Sequence, residues 1–497
     1  MLVMNAEGFS ASPTHLPSAP MPRPPSLFQA LLPLVLLIGL LAGNVLVFGD
    51  AGLDGPNQLA LLLSAAVALV IGVWNGHTYQ HLLEQIVRSI STALGALLIL
   101  LLIGALAGTW LISGIVPAMI LHGLQLLSPE YFLVAACAVC AVVSVATGSS
   151  WSTAATVGIA LMGIGRALDL HPGLVAGAVI SGAYFGDKLS PLSDTTNLAP
   201  AVAGTDLFSH IRYLLLTTIP SMVIALLIFL FIGIWGTGGT DVENMAHLQQ
   251  AIRSRFTISL WLYLVPVAVI VMIWRRMPAL PALFIGVLLG GLFAVIFQPD
   301  IIRELAGSEG GMFQASYKAV LMAMGGAVSI ATGDALVDDL LSSGGMYGML
   351  KTIWLIICAM TFGGAMEGAG LLQRITTAVM TMVRGDGSLI ATTAASCVFT
   401  NVTASDQYLS IVVPGRMFAP VYAERGLHPK VLSRTLEDAG TVTSPLVPWN
   451  TCGAYMSTVL GVATMAYLPF AFFNIISPLM TVLQGAIGWR IARIGRR

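Results

Sequence analysis

The same series of short motifs occurs twice in this chain, once in each half. Leu-His-Pro at 170–172 returns at 427–429, and Ser-Pro-Leu at 190–192 returns at 444–446. In the same order, Ala-Thr-Gly-Ser at 146–149 aligns with Phe-Thr-Asn-Val at 399–402. An internal repeat in a membrane protein is typical of secondary transporters, whose substrate site lies where the two copies meet. The repeat therefore predicts one site built from both halves.

The composition indicates a membrane protein. Charged residues make up 9% of the chain and hydrophobic residues 57%, whereas a soluble domain has about 25% charged residues. The net charge of −1 indicates no nucleic-acid partner, and the chain is predicted to be solvated by a lipid bilayer. Residues 1–26, rich in Pro and Ser, are predicted to form a disordered cytoplasmic tail.

Runs of about 20 apolar residues predict the transmembrane helices. The predicted spans are 27–48, 58–74, 94–121, 172–204, 214–236, 257–274, 279–297, 351–372, 431–461 and 465–488. Two further apolar stretches, at about 130–165 and 388–420, are interrupted midway by polar residues. We interpret both as helical hairpins that enter and leave the membrane on the same face, because irregular backbone at that depth must be buried or line a cavity.

These spans predict an all-α polytopic membrane protein with two inverted-topology repeats, 27–236 and 257–497, joined by a linker at 237–256. Each repeat has about five transmembrane helices, one of them broken, and a re-entrant hairpin; the odd number of crossings inverts the second copy. With both termini cytoplasmic, most of the 22 Lys and Arg lie inside. Hairpins that crossed fully would instead make the halves parallel, and this alternative stays open. The stretch 300–343 has no counterpart in the first half and is predicted to be an external insertion.

The densest polar run within a predicted span is Gly186–Asn197, where Pro191 interrupts the helix. Polar groups at this depth need partners, and a broken helix offers free carbonyls and oxygen side chains that suit Na⁺, H⁺ or Li⁺. The ion-binding residues predicted in this half are Asp187, Ser190, Ser193, Asp194, Thr195, Thr196 and Asn197, with Thr147, Ser149 and Ser150 of the first hairpin. Na⁺ itself is predicted at Asp194, Thr195 and Asn197.

The second half contributes a related set without an acid aligned to Asp194. Its predicted ion-binding residues are Thr400, Asn401, Thr403, Ser405 and Asp406 in the hairpin, and Ser444, Asn450 and Thr451 in the broken helix. The candidates for coupling to protons are Asp194, Asp187, Lys188, Glu367, Glu437 and Asp438, with Lys188 interpreted as an internal counter-charge. No cofactor is predicted, only Na⁺ and H⁺ as transported ions.

The same motifs carry a family resemblance. Gly-Asp-Lys-Leu-Ser-Pro-Leu-Ser-Asp-Thr-Thr-Asn-Leu-Ala-Pro at 186–200 resembles the signature of NhaC-type Na⁺/H⁺ antiporters, as do the motifs at 403–410 and 443–453, and the similarity extends from about residue 27 onward. The resemblance implies Na⁺/H⁺ exchange in a bacterial inner membrane and the ion-transporter architecture of two inverted repeats, two hairpins and two broken helices. It also implies a homodimer, as is common among members. Some relatives couple Na⁺ or H⁺ to malate or lactate, and the motifs do not separate these groups.

The function predicted from the sequence is exchange of Na⁺ for H⁺ by alternating access. The alternative is an exchanger of small organic carboxylates coupled to Na⁺ or H⁺, which would need a cationic group such as Lys188 beside the site. A channel is not supported, because no ring of repeated charges is found. An enzyme is not supported either, because the sequence has no nucleophile–base constellation, P-loop or metal-ligand cluster.

Overall fold

The computed structural model describes residues 22–48, 54–126, 128–236, 242–275, 277–307, 311–332, 338, 341–380 and 383–495. Most of the predicted tail (1–26), the start of the predicted linker (237–256) and parts of the predicted insertion (300–343) lie outside the described residues.

The first half is helical throughout its described residues. Its elements are α1 (Leu27–Phe48), α2 (Pro56–Trp74), α3 (Tyr79–Ile112), α4 (Ile115–Leu126), α5 (Pro129–Thr147), α6 (Ser150–Thr153), a π-helix (Ala154–Gly158), α7 (Ile159–Ala167), α8 (Pro172–Leu189), α9 (Asp194–Ala203) and α10 (Leu207–Gly236).

The second half adds one short β-hairpin to its helices, with Val328 opposite Ser343. Its elements are α11 (Val242–Arg255), a 3₁₀-helix (Leu260–Tyr263), α12 (Leu264–Trp274), α13 (Ala279–Phe297), α14 (Pro299–Ala306), α15 (Met312–Gly325), β1 (Val328–Ser329), β2 (Ser342–Ser343), α16 (Gly345–Gly348), α17 (Leu350–Gly368), α18 (Leu371–Met380), α19 (Asp386–Thr403), α20 (Gln407–Glu424), α21 (Pro429–Leu436), a π-helix (Glu437–Thr441), a 3₁₀-helix (Ser444–Leu446), α22 (Thr451–Leu460), α23 (Thr464–Tyr467), a 3₁₀-helix (Leu468–Phe470) and α24 (Phe472–Ile487).

Within the described ranges, seven helices are long and apolar enough to cross a membrane, or up to nine if two bent pairs each count as one span. One bent pair joins α11 to α12 at 92°, and the other joins α23 and its 3₁₀ turn to α24 at 57°. The protein is therefore a multi-pass membrane protein with an almost entirely helical fold.

Three predicted segments differ most from the structure in their boundaries. The span predicted at 214–236 is a helix that begins at Leu207. The span predicted at 94–121 is a helix that begins at Tyr79 and ends at Ile112, and α4 follows after Gly114, whose φ of 81° no other residue readily adopts. Hydropathy misses the start of α3 because its first turns carry polar residues, although Thr78 caps it by accepting from the amide of His81. The predicted linker is also helical where it is described, as α11.

All four interruptions predicted from the sequence occur. The first hairpin turns between α5 and α6, and the second between α19 and α20. The first broken helix consists of α8 and α9, and the second runs from α21 through the π-helix and the 3₁₀ turn to α22. Pro191 lies just after the end of α8, and Pro445 lies in the 3₁₀ turn that follows the π-helix. Both places are expected for proline, which lacks an amide donor. The re-entrant course of the two hairpins and the inverted relation of the two halves stay predictions, since α5 of the first hairpin is itself long and apolar enough to cross a membrane.

Candidate ion-binding site

Both hairpin turns and the first broken helix line one cavity of about 640 Å³. Three carboxylates face it: Asp187, Asp194 and Asp406. The predicted residues Thr147, Ser149, Ser150, Ser193, Thr195 and Thr451 also line it. Among the described residues that form its wall there is no Lys, Arg or His. The cavity is therefore acidic and rich in hydroxyl groups.

The turn of the first hairpin lies directly against the break of the first broken helix. Gly148 has a left-handed backbone (φ 69°), and a Cβ atom there would lie 2.6 Å from the Cβ of Leu192. Just beyond it, Ser150 donates to Asp187 Oδ2 with both its amide (3.2 Å) and its hydroxyl (2.7 Å). The hairpin turn thus fixes one oxygen of Asp187, a residue that is otherwise buried.

Asp194 stands at the first position of α9, exposed to the cavity. Ser193 caps this helix by accepting from the amide of Thr196 at 3.4 Å. The hydroxyl of Thr195 donates to Glu437 Oε1 at 3.1 Å, which links the first break to the π-helix of the second broken helix. No described residue is hydrogen-bonded or ion-paired to the Asp194 carboxylate, so its oxygens are available to a cation.

The second hairpin brings Asp406 to the same cavity. Asp406 caps α20 by accepting from the amide of Leu409 at 3.0 Å. Its neighbour Ser405 has a φ of 60°, which is strained for a residue other than glycine, and its carbonyl accepts from the amide of Thr451 at 3.0 Å. The second hairpin turn is therefore held against the second broken helix, as the first is against the first.

Lys188 does not line the cavity. It forms an ion pair with Asp438, and both side chains are fully buried. Lys188 Nζ also donates to Ser477 Oγ at 2.9 Å, and Asp438 accepts from the hydroxyls of Ser477 and Thr481. The only cationic group predicted beside the site is thus held by a carboxylate from the other half of the chain.

The remaining predicted proton-coupling residues lie outside the cavity wall. Glu437 is fully buried, and while its Oε1 accepts from Thr195, its Oε2 has no hydrogen-bond partner among the described residues. Glu367 is exposed on α17 and does not line the cavity.

In the first broken helix, three predicted ion-binding residues satisfy backbone groups instead of facing the cavity. Thr196 donates to the carbonyls of Asp187 and Lys188 at 3.2 Å. Asn197 is exposed on the other side of α9 and donates to the carbonyls of Pro191 and Ser193. Ser190 accepts from the amide of Leu192 at 3.3 Å. Of the three residues predicted to hold Na⁺, Asp194 and Thr195 line the cavity and Asn197 does not.

In the second half, most of the predicted donors are internal to the fold. Asn401 donates to the Gly440 carbonyl and the Thr443 hydroxyl, and Asn450 donates to the Asn401 carbonyl. These bonds connect the second hairpin to the second broken helix. The hydroxyls of Thr400, Thr403 and Ser444 donate to carbonyls of Ser396, Phe399 and Thr441.

Sequence reasoning missed five polar or aromatic residues of the cavity wall: Thr92, Trp151, Ser152, Gln407 and Tyr408. Trp151 stacks on Tyr455 with ring centroids 3.9 Å apart, and the Tyr455 hydroxyl donates to the Trp151 carbonyl. Trp151, Ser152, Gln407 and Tyr408 lie within two residues of a predicted residue at a hairpin turn, and that proximity was the available signal; Thr92, on α3, had none.

The electrostatics of the cavity favour a cation. The N-terminal ends of α6, α9 and α20 meet there, and such ends attract anions. Part of this effect is offset, because Ser149, Ser193 and Asp406 each accept one amide hydrogen bond at the start of the helix. The side chains of the wall add three carboxylates and several hydroxyls, the oxygen ligands that small hard cations prefer.

Comparison with known proteins also indicates a transporter of small cations. The profile of the Na⁺/H⁺ antiporter family matches residues 182–489. The chain is 39% identical to the Na⁺/H⁺ antiporter NhaC of Alkalihalophilus pseudofirmus, covering 87% of this chain and 90% of that protein. It is 36% identical to the malate-2H⁺/Na⁺-lactate antiporter of Bacillus subtilis (94% and 96% covered). It is 37% identical to the arginine/ornithine antiporter ArcD of Halobacterium salinarum (94% and 93% covered).

Among solved structures, that of Neisseria gonorrhoeae MtrF covers 92% of this chain and 95% of its own, at 14% identity and a TM-score of 0.38, a likeness that adds nothing to the assignment. The match over residues 182–489 includes the break of the first broken helix, the second hairpin and the second broken helix, and so Asp187, Asp194 and Asp406 of the acidic cavity. By this match and by its identity to curated relatives over most of its length, the chain belongs to the Na⁺/H⁺ antiporter family.

Proposed function

We propose that this protein exchanges Na⁺ for H⁺ across a bacterial inner membrane by alternating access. The observation that carries the proposal is the cavity in which Asp187, Asp194 and Asp406 meet and whose described wall holds no Lys, Arg or His. Such a wall attracts cations and repels carboxylates. The family membership and the NhaC relatives support the same function.

In the proposed site, Na⁺ binds at Asp194 and Thr195, with Asp187 and Asp406 supplying further negative charge. A bound Na⁺ and a bound proton each remove one negative charge from the cavity. The two ions therefore replace one another at the carboxylates, and exchange follows when the site faces each side of the membrane in turn.

The conformational change is proposed to use the four interruptions of the fold. In inverted-repeat transporters, irregular backbone at the repeat interface lets one bundle move against the other around the site. Here Thr195–Glu437 and Lys188–Asp438 join the two proposed repeats behind the cavity. We further propose that both termini are cytoplasmic and that the protein acts as a homodimer.

A second candidate is exchange of small organic carboxylates, favoured by the identity to the malate-2H⁺/Na⁺-lactate antiporter. It needs a cation to receive the carboxylate, and Lys188, the candidate for that role, is buried against Asp438. The acidic wall of the cavity therefore supports the inorganic cation better than the organic anion.

The test is a pH-gradient assay in proteoliposomes. Na⁺ is added first, and malate and lactate are then added without Na⁺, while the internal pH is followed. Proton movement on Na⁺ alone is expected. Movement only in the presence of a carboxylate would overturn the proposal and identify the second candidate.

A further inference from the structure

A second cavity, of about 460 Å³, lies where α10 and α21 begin, and it shares no residue with the acidic cavity. Its wall consists of Asp206, Phe208, Ser209, Arg212, Tyr213 and Lys430. These residues belong to the segment that follows the first broken helix and to the start of the second. The cavity is therefore placed at an end of the membrane-crossing part of the fold, next to both broken helices.

The charge of this wall is positive. Arg212 is exposed, and Lys430 Nζ lies 5.5 Å from the centre of the Tyr213 ring; neither is in an ion pair among the described residues. The one carboxylate, Asp206, is engaged as the cap of α10 and accepts from the amide of Ser209 at 2.8 Å. The N-terminal ends of α10 and α21 also lie here and add some positive potential, although Asp206 and His428 each accept one of their amides. A phosphate group fits this combination, since Arg and Lys beside helix N-termini are its usual protein partners.

The cavity is continuous with the lipid-facing side of α10. Phe208, Arg212, Leu215, Ile219 and Val223 are all exposed and follow one another at spacings of three or four residues, so they form one face of the helix. On the C-terminal side of Arg212, from Leu215 to Val223, this face is entirely apolar, as expected of a surface covered by acyl chains. A free phosphate would use the charged end alone, whereas a phospholipid would use the charged end and the apolar face together.

We propose that this cavity binds an anionic phospholipid, with its phosphate between Arg212 and Lys430 and its acyl chains along Leu215, Ile219 and Val223. Basic pockets between transmembrane helices bind anionic headgroups in this way. The lipid bridges α10 and the first half of the second broken helix. The wall of this cavity is also linked to the C-terminal segment, because the Tyr213 hydroxyl donates to the carbonyl of Arg490 at 2.9 Å.

The proposal predicts a stability effect that depends on headgroup charge. A ligand that binds only the folded protein raises its apparent stability. Delipidated protein in neutral detergent would be unfolded by heat with added phosphatidylglycerol, with phosphatidylcholine, and with inorganic phosphate at equal concentration. Phosphatidylglycerol is expected to raise the Tm, and the other two are not. In the variant Arg212→Gln/Lys430→Gln, the apparent affinity for phosphatidylglycerol is expected to fall at least about tenfold.

The matched control is Arg384→Gln/Arg416→Gln, which removes two exposed charges that lie outside this cavity and have no ion pair with any residue that the structure describes. It is expected to respond to phosphatidylglycerol as the native protein does. The charge-preserving variant Arg212→Lys/Lys430→Arg is expected to keep most of the effect, which separates loss of charge from misfolding. An equal response to phosphatidylcholine or to inorganic phosphate, or an unchanged response in Arg212→Gln/Lys430→Gln, would overturn the proposal. None of these outcomes depends on which ions the protein exchanges.

Discussion

Asp194 is the one carboxylate of the acidic cavity that no described residue caps or pairs. Asp187 accepts from Ser150, and Asp406 accepts from Leu409, so each of these has one oxygen already engaged. A cation that enters the cavity therefore finds both oxygens of Asp194 unoccupied. This makes Asp194 the residue whose loss is expected to affect Na⁺ most directly.

We expect Asp194→Asn to abolish Na⁺-driven proton movement and to weaken Na⁺ binding at least about tenfold, or about 1.4 kcal/mol. The amide keeps the size of the side chain but removes its charge. Calorimetric Na⁺ titration and the pH-gradient assay measure the two effects. Asp54→Asn, which removes an exposed carboxylate paired with Lys351 outside the cavity, is the control and is expected to behave as native. Native Na⁺ affinity in Asp194→Asn would exclude it from the site.

A second prediction about single residues concerns the buried ion pair of Lys188 and Asp438. We expect Lys188→Met to destabilise the protein by about 3–5 kcal/mol, because it leaves Asp438 buried without a counter-charge. The double variant Lys188→Met/Asp438→Leu is expected to recover part of that loss, since no unpaired charge remains. Thermal unfolding in detergent measures both.

Lys351→Met is the control for the ion pair, because Lys351 and Asp54 are 2.5 Å apart but well exposed. An exposed pair contributes about 0–1 kcal/mol, so a small effect is expected. If the two single Lys variants were equally stable, the Lys188–Asp438 pair would have no special structural role.

At the scale of elements, the two hairpins turn against the two broken helices through close backbone contacts. Gly148 and Gly204 both have left-handed backbones, with φ of 69° and 80°. A Cβ at Gly148 would lie 2.6 Å from Leu192, whereas a Cβ at Gly204 would have nothing within 4 Å. A side chain would therefore be strained by the backbone at both positions, and it would clash with a neighbour only at Gly148.

We expect Gly204→Ala to reduce stability by about 1–2 kcal/mol, through backbone strain alone. Gly148→Ala is expected to reduce it further and to impair ion exchange as well, because the hairpin turn must move away from the break that carries Asp194. Thermal unfolding and the pH-gradient assay separate the two effects. Equal stability and equal exchange in the two variants would show that the close approach at Gly148 is unimportant.

The start of the second broken helix carries a pH-sensitive cap. The His428 side chain accepts from the amide of Lys430 at 3.2 Å through Nδ1, which requires an unprotonated nitrogen. Burial, and then the charge of Lys430, lowers the pKa of His428 below its usual 6.5, while Asp206 acts in the opposite direction. With the folded pKa below the unfolded value, the stabilisation is complete above pH 6.5 and is lost as the pH falls through the folded pKa.

We expect His428→Asn to flatten this dependence, because Asn caps a helix without titrating, and the cap contributes about 1 kcal/mol. Thermal unfolding at a series of pH values on both sides of 6.5 measures the difference between the variant and the native protein. His171→Asn, at the corresponding histidine directly before α8, whose side chain makes no cap hydrogen bond, controls for loss of a histidine elsewhere. A native-like pH dependence in His428→Asn would contradict the prediction.

For the whole molecule, the main question is the direction in which the two halves cross the membrane. The N-terminal segment docks at the loop after α2 and at α18, since the amide of Arg23 donates to the carbonyl of Asn75, and Arg374 Nε donates to that of Pro25. The C-terminal segment docks at the loop after α20, since the amide of His428 donates to the carbonyl of Ala492, and Arg493 pairs with Asp386 at the start of α19. The inverted arrangement predicts that both docking regions are cytoplasmic.

We expect Tyr79→Cys and Glu424→Cys to react with a membrane-impermeant maleimide only from the cytoplasmic side, and Asp300→Cys only from outside. The native cysteines are all buried, so the background reaction should be low. Labelling of right-side-out and inverted vesicles measures the side of each residue. Labelling of Asp300→Cys from the cytoplasmic side would instead fit hairpins that cross the membrane fully, and would rule out the inverted repeats proposed here.

The sequence by itself determined the membrane class, the number of interruptions and their places. These are local properties, because apolar runs of span length partition into lipid, and Pro, Gly and polar clusters stop a helix wherever they occur. Tertiary structure alone decided which oxygens face the acidic cavity. Asn197 and Asn401 turn to backbone carbonyls, Gln407 and Tyr408 face the cavity, and Lys188 pairs with Asp438 from the other half. The direction of a side chain depends on how distant helices pack around it, and no local pattern contains that information.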